Sequence, residues 1–348
     1  MSKCIYLKKT EPEVTFKERE HIIPAGIGGI AKLPKGMVSD QFNTDIFSRI
    51  ELDFMRNSII AIPRQFEGPG KRGSLCTKNA TKSKIHVMSF SNDPSNVILG
   101  YTKLATPHPI PQFKIINQTR IDTILDPSEG NYNIQLSNLI EALRNFNNKY
   151  ITIKDNNIPS NIMLLGNFQN KWYLGVHDDT VKPPSLEYIN KIIKSIIVSK
   201  PQPKFESEQV ISHQSTKFDI ENFYRVCAKI VFNFLAFSNG SQFVLQNKFD
   251  PIRNWIVNGG KNKFSVLIDR GKYPKKFSLP GKVHNISIIK VNDKLLGLLS
   301  LYNHFDISVN ICDNFTESYF FNGYVCDWEN REEYDLFEYV EMSNNQSL

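Results

Sequence analysis

The sequence predicts a mixed α+β fold. A small strand–turn–strand–helix unit occupies residues 1–75, and a larger α+β region with an antiparallel sheet covers 76–200 and 201–348. Three observations carry this. Near the N-terminus the hydrophobic spacing changes from period two to a helical stripe, Phe42, Ile46, Ile50 and Phe54, four residues apart. Farther on, short runs of β-branched and aromatic residues recur between Pro, Gly and Asn breaks, the pattern of strands joined by turns. Finally, 348 residues with 24 Phe and 13 Tyr exceed what one core holds.

Taken in order, the chain first presents Glu20-His21 running into Ile22-Ile23. Pro24 stops that strand and Gly28-Gly29 turns it, so the chain returns through Leu33 to Val38. The helix that follows spans about four turns. Gly68-Pro69-Gly70 then breaks regular structure among Arg64, Lys71, Arg72, Lys78, Lys82 and Lys84. This segment reads equally as a basic loop lying on a nucleic-acid backbone, with Arg64, Lys71 and Arg72 as contacts, or as a solvated linker. Strands are expected at Ile85–Phe90, Val97–Leu104 and Phe113–Leu125, then a helix from Leu136 to Phe146, a hairpin from Ile162 to His177, and a helix from Ser185 to Val198. Lys200 to Gln209 reads as a linker. A helix from Ile220 to Ser238, apolar nearly all round, is expected to be buried, and a shorter one follows at Phe249 to Val257. Five strands complete the chain. Among them Lys272, Lys275 and Lys276, beside Arg270, interleave with Tyr273 and Phe277, either as a nucleic-acid contact loop or as a solvated hairpin. The acidic tail from Glu329 to Glu341 suits an edge strand, a partner-docking strip or a mimic of nucleic acid.

A net charge of +7 and a pI near 9.0 suit a phosphate-bearing partner. Five cysteines at unrelated spacings form no disulfide framework, which fits a reducing compartment. The N-terminal residues lack an apolar signal core, and no apolar run reaches membrane-span length. A cytoplasmic protein with no membrane partner is therefore expected.

The motif Glu20-His21-Ile22-Ile23-Pro24, then Gly28-Gly29, then Leu33-Pro34-Lys35-Gly36 and Asn43, resembles the HNH endonucleases, the ββα-metal nucleases, over residues 1–75. The resemblance implies that His21 is the general base, that Glu20 and Asn43 hold one divalent metal, and that the finger cuts DNA, with RNA as the alternative. These residue types suit the chemistry. An imidazole near neutrality can deprotonate an attacking water. A hard cation stabilises charge on the leaving oxygen, and carboxylate and amide oxygens favour Mg²⁺ or Mn²⁺. Neighbouring strand residues face opposite sides, so a bulge or strand end is expected at Glu20-His21. Relatives also carry structural zinc on two Cys-x-x-Cys pairs. Here those places hold Cys4, Leu7, Ser39 and Phe42, so no structural zinc is expected, and packing by Ile5, Leu7, Phe42 and the following domain must replace it. Gly36 stands where relatives often orient the base, which leaves a backbone carbonyl for that role. Beside these readings stand plainer ones: a surface ion pair for Glu20-His21, a helix cap for Asn43, and core for Phe47.

By family analogy the whole resembles restriction and anti-phage effectors of bacteria, with a C-terminal recognition or sensor region answering to a protein partner or activating ligand. A homodimer would suit two cuts. The alternative is a catalytically silent nucleic-acid- or partner-binding subunit, active only in an assembled complex, for example with a short Argonaute.

Overall fold

The fold is taken from a computed structural model, which describes residues 2–180, 186–199, 203–204, 210–214, 217–269 and 279–345. It is mixed α+β with antiparallel sheets, and it divides into two compact units. One unit joins Met1–Thr81 to Thr216–Leu348, and the other is Lys82–Ser215. The divisions expected near 75 and 200 thus fall at 81 and 215, and the first and last segments of the chain share one unit.

In the Lys82–Ser215 unit, four strands pair antiparallel in the order Val210–His213, His86–Phe90, Val97–Lys103, Thr106–Pro109. A second sheet runs Ile151–Lys154, Lys171–Val176, Ile162–Phe168, Gln112–Ile116, Arg120–Ile124, Pro203–Lys204, with parallel pairing at its two edges. Its apolar face packs with side chains of the helices Tyr132–Arg144 and Leu186–Ser199. The single strand expected over Phe113–Leu125 is a hairpin instead. Asn117 and Gln118 both hold positive φ in the three-residue connection between its arms, where the Thr119 amide donates to Ile116 O (3.1 Å).

The other unit is built on a six-stranded antiparallel sheet. Its order is Ser265–Leu267, Phe305–Cys312, Lys294–Leu301, Val283–Val291, Phe321–Asp327, Glu332–Asp335. Of the readings left open for the acidic tail, Glu332–Asp335 takes that of an edge strand, and the helix Leu336–Asn345 follows it. Against the sheet lies the helix Ile220–Asn239, whose Asp219 carboxylate accepts from the amides of Glu221 and Asn222 as an N-cap. No helix among the described residues is long and apolar enough to cross a membrane.

The buried apolar side chains of residues 2–81 belong to one cluster with those of the C-terminal segment. The expected strand pair shrinks to one bridge, His21 with Lys32, flanked by amide bonds from Ile22 to Ala31 O (3.0 Å) and from Leu33 to Glu20 O (2.8 Å). Pro24 and Pro34 explain the shortness, since neither can donate to a ladder. The helix opens with a π-helical segment, Phe42–Phe47, and continues as α over Ser48–Asn57. This departs from the uniform α stripe that the sequence predicts. The wider i→i+5 turn brings Phe42 and Phe47 together with ring centroids 4.9 Å apart, and it buries Phe47, while Ile46 and Ile50 are only partly covered. Tyr6 stacks on Phe42 at 3.9 Å and tilts against Phe232 at 5.5 Å, and Phe54 meets Phe223 at 5.4 Å. One core therefore runs from the N-terminal segment into the Ile220–Asn239 helix.

Candidate active site

Glu20 and His21 lie where the short strand begins. The turn that follows is held closely. Gly28 adopts φ 109°, and a Cβ on Gly29 would lie 1.9 Å from Ile23 O, so both positions require glycine. The C-terminal sheet fastens this turn. His284 Nε2 donates to Ile27 O (2.8 Å), and the Glu333 carboxylate accepts from the amides of Ile30 (2.8 Å) and Ala31 (2.7 Å).

The helix Ile220–Asn239 supplies the remaining contacts. Three of its polar residues, Arg225, Lys229 and Asn233, recur every fourth position and are buried. They form one stripe facing the N-terminal segment. Arg225 donates to the carbonyls of Ile256 and Val257, and its guanidinium lies 5.6 Å from the Phe47 ring. Asn233 Nδ2 donates to His21 O (2.9 Å), while its Oδ1 accepts from the Tyr6 hydroxyl (2.5 Å). Lys229, 1% exposed, places its ammonium 2.5 Å from Glu20 Oε1 and also in contact with Glu51 Oε1. It lies 5.2 Å from the Phe47 ring.

Asn43, Phe47 and Glu51 form the matching line on the facing helix. In a pure α-helix eight residues overshoot two turns by about 80°. The π-helical opening takes back that excess, so Asn43 and Glu51 share a face. Asn43 Oδ1 is buried and has no hydrogen-bond partner, an arrangement that costs about 1–3 kcal/mol if nothing else meets it. No side-chain cap bond forms at this helix start, so Asn43 is not acting as a cap. Phe47 is core, as the plainer reading had it.

Electrostatics follow from burial. Desolvation lowers the pKa of His21, and nearby Lys32 lowers it further against the pull of Glu20, so the imidazole is neutral near pH 7. Burial alone would lower Lys229, but Glu20 and Glu51 outweigh it and hold the amine above its ordinary value. Glu51 is pushed up by burial more than Lys229 pulls it down, and Glu20 adds to the push. Two largely covered carboxylates share one ammonium, so one of them stays under-compensated.

The donor set suits a hard cation: two carboxylates converging on one positive charge, and an amide oxygen with no other partner on the same helix face. Among the described residues no three His, Cys, Asp or Glu side chains gather into a metal site.

The four positions compared above with zinc-binding cysteines, Cys4, Leu7, Ser39 and Phe42, lie close together. Cys4 Sγ accepts from the amides of Leu7 (3.4 Å) and Ser39 (3.5 Å) and from the Ser39 hydroxyl (3.2 Å), which in turn accepts from the Phe42 amide (3.4 Å). Hydrogen bonds to one thiol and the buried side chains of Ile5 and Phe42 hold this corner.

The predicted nucleic-acid contacts divide. Arg64 is a correction: it is 6% exposed, with its guanidinium donating to Met55 O and Gly70 O, because the chain after the helix folds back over it. Lys71 and Arg72 are exposed and line an open cleft of about 550 Å³ with Ser74, Leu75, Asn79 and Arg331. Arg331 comes from the tail read as acidic, and it donates to Gly73 O (2.7 Å). Arg72 and Arg331 both hold positive φ, 55° and 59°, backbone strain of a kind that clusters at functional sites. Lys272, Lys275 and Lys276 lie outside the described residues.

Sequence reasoning missed Glu51, Lys229, Asn233 and Arg331. A signal existed for two of them: Lys229 and Asn233, with Arg225, make a polar stripe of helical spacing inside an otherwise apolar helix. Comparison of the chain with family models, with curated proteins and with solved structures gives no match.

Proposed function

We propose that this chain is a metal-dependent endonuclease that hydrolyses nucleic-acid phosphodiester bonds, DNA first among them. The observation that carries the reading is the convergence of Glu20 and Glu51 on one cation position, one residue along the chain from the neutral imidazole of His21. The buried, unpartnered Asn43 Oδ1 supports it. Glu20, Asn43 and Glu51 would hold a Mg²⁺ or Mn²⁺ ion, whose contribution when bound is to offset charge on the leaving oxygen. His21, uncharged near pH 7, takes the proton from the attacking water. Asn233 fixes the main chain at His21 through its carbonyl, and Glu333 and His284 steady the turn beyond. Lys71, Arg72 and Arg331 offer the substrate backbone a positively charged cleft, which positions the strand without reading its sequence.

The test is cleavage of supercoiled plasmid by the purified full chain with Mg²⁺, with Mn²⁺ and with EDTA, comparing wild type with His21→Ala. The expected result is metal-dependent nicking or linearisation that falls at least a hundredfold in the variant, the usual scale for a lost general base. Cutting that survives EDTA or His21→Ala would sink the reading. A second reading, a chain silent by itself and active in an assembly, is favoured by one feature: Lys229 already neutralises part of the carboxylate pair.

A further inference from the structure

The chain carries its own cation where the proposed divalent ion belongs. Lys229 is nearly fully buried, and its ammonium touches one oxygen of Glu20 and one of Glu51. Those are the two carboxylates of the candidate metal set. Lys229 reaches them from the C-terminal helix Ile220–Asn239, whereas both carboxylates belong to the N-terminal segment.

We infer that Lys229 is an internal counter-ion that competes with the divalent metal, so that a metal ion enters the Glu20–Glu51 position only as the Lys229 ammonium is displaced. The inference rests on reading Glu20, Asn43 and Glu51 as a divalent-cation site. Its logic is charge and room. With Lys229 present the pair holds a net charge of one negative, and a second cation at the same point would meet like-charge repulsion in a poorly screened interior. With Lys229 withdrawn, two largely covered carboxylates around one point are left uncompensated, a strong driving force for binding a hard dication. The neighbourhood leaves few other places for the ammonium: Phe47 covers one side at 5.2 Å from its ring centroid, and Tyr6 and Asn233 fill the next turn of the helix with their own hydrogen bond. Displacement thus requires the side chain to change rotamer or the helix to move against the N-terminal segment. A bound substrate or partner could drive either change, and this would link occupancy of the basic cleft to assembly of the metal site.

The experiment measures Mn²⁺ binding to the full-length wild type and to Lys229→Met by electron paramagnetic resonance and calorimetry, with Glu20→Gln/Glu51→Gln as the control that removes the site. At least tenfold tighter Mn²⁺ binding in Lys229→Met, lost in the control, is the expected result. Equal affinity in wild type and Lys229→Met, both lost in the control, overturns the competition while leaving the metal reading intact. No binding that depends on Glu20 and Glu51 in either protein overturns both. Because Lys229→Met leaves buried carboxylates unpaired and could prevent folding, a second measurement uses the wild type. In ¹⁵N-lysine-labelled protein, the Lys229 ammonium resonance, identified by its absence from Lys229→Arg, should shift or be lost through exchange as Mg²⁺ is added. A resonance unchanged at a Mg²⁺ level that saturates the site defeats the proposal.

Discussion

His284 uses both ring nitrogens in the interior: Nε2 donates to Ile27 O, and Nδ1 accepts from the Tyr302 amide (3.0 Å). Those partners require the neutral ring, and burial, the largest cause, lowers its pKa to about 4. The sign follows from linkage. The unfolded chain takes up a proton near pH 6.5 and the folded chain resists until about 4, so this contribution to stability is complete above 6.5 and drains away as pH falls between those values. By pH 5 the loss amounts to about 2 kcal/mol. Thermal melts from pH 7.5 to 5 should show a falling Tm, and the part due to this residue should vanish in His284→Gln. A slope identical in the variant would show that the ring is not the group responsible. The same scale explains what could be read early. Glu20, His21 and Asn43 stand at recognisable spacing in the chain, whereas Glu51 is one of several exposed-looking acids on an amphipathic helix until Lys229 is seen against it.

Two elements decide the site's surroundings. The helix Ile220–Asn239 is legible as a buried helix from its composition, but the sequence does not say which face its polar stripe addresses. The π-helical opening at Phe42–Phe47 is not legible either. No Pro or Gly marks it, and it forms because the wide turn lets Phe42 and Phe47 both enter the core. The edge strand Glu332–Asp335 illustrates a different limit. Its acids also suited a partner-docking strip or a mimic of nucleic acid, yet Glu333 is bound to two backbone amides, and Arg331 just before the strand turns toward the basic loop. If that cleft holds the phosphate backbone, Arg331→Ala should weaken binding of unrelated DNA duplexes to a similar degree. It should also reduce the slope of log K against log salt by about one. An unchanged slope in fluorescence-anisotropy titrations would remove Arg331 from the interface. Arg64→Ala, by contrast, should act on stability, since its guanidinium is tied to Met55 O and Gly70 O.

At the scale of the molecule, the N-terminal segment and the C-terminal sheet fold as one unit. Without the Ile220–Asn239 helix Tyr6 loses Phe232, Phe47 loses Arg225 and Lys229, and Phe54 loses Phe223, and large apolar side chains exposed in this way each forfeit about 1.5–3 kcal/mol. Residues 1–81 expressed alone should therefore be unfolded, with a collapsed amide range in proton–nitrogen NMR spectra, whereas 82–214, which encloses its own clusters, should give dispersed spectra. A well-dispersed spectrum from 1–81 would contradict the shared core. Local patterns, meaning periodicity, breakers and the Glu-His…Asn spacing, are written along the chain, and so the element types, most strands of the three sheets and three candidate site residues could be read from sequence alone. Tertiary structure decided the remainder: that the first and last segments share a core, that Arg64 is interior, that Arg331 joins Lys71 and Arg72, and that Lys229 meets Glu20 across 209 positions of sequence. Pairing at such separation is set by how whole elements pack, because burial and charge compensation are settled only when distant surfaces meet, and no short window of sequence contains both partners.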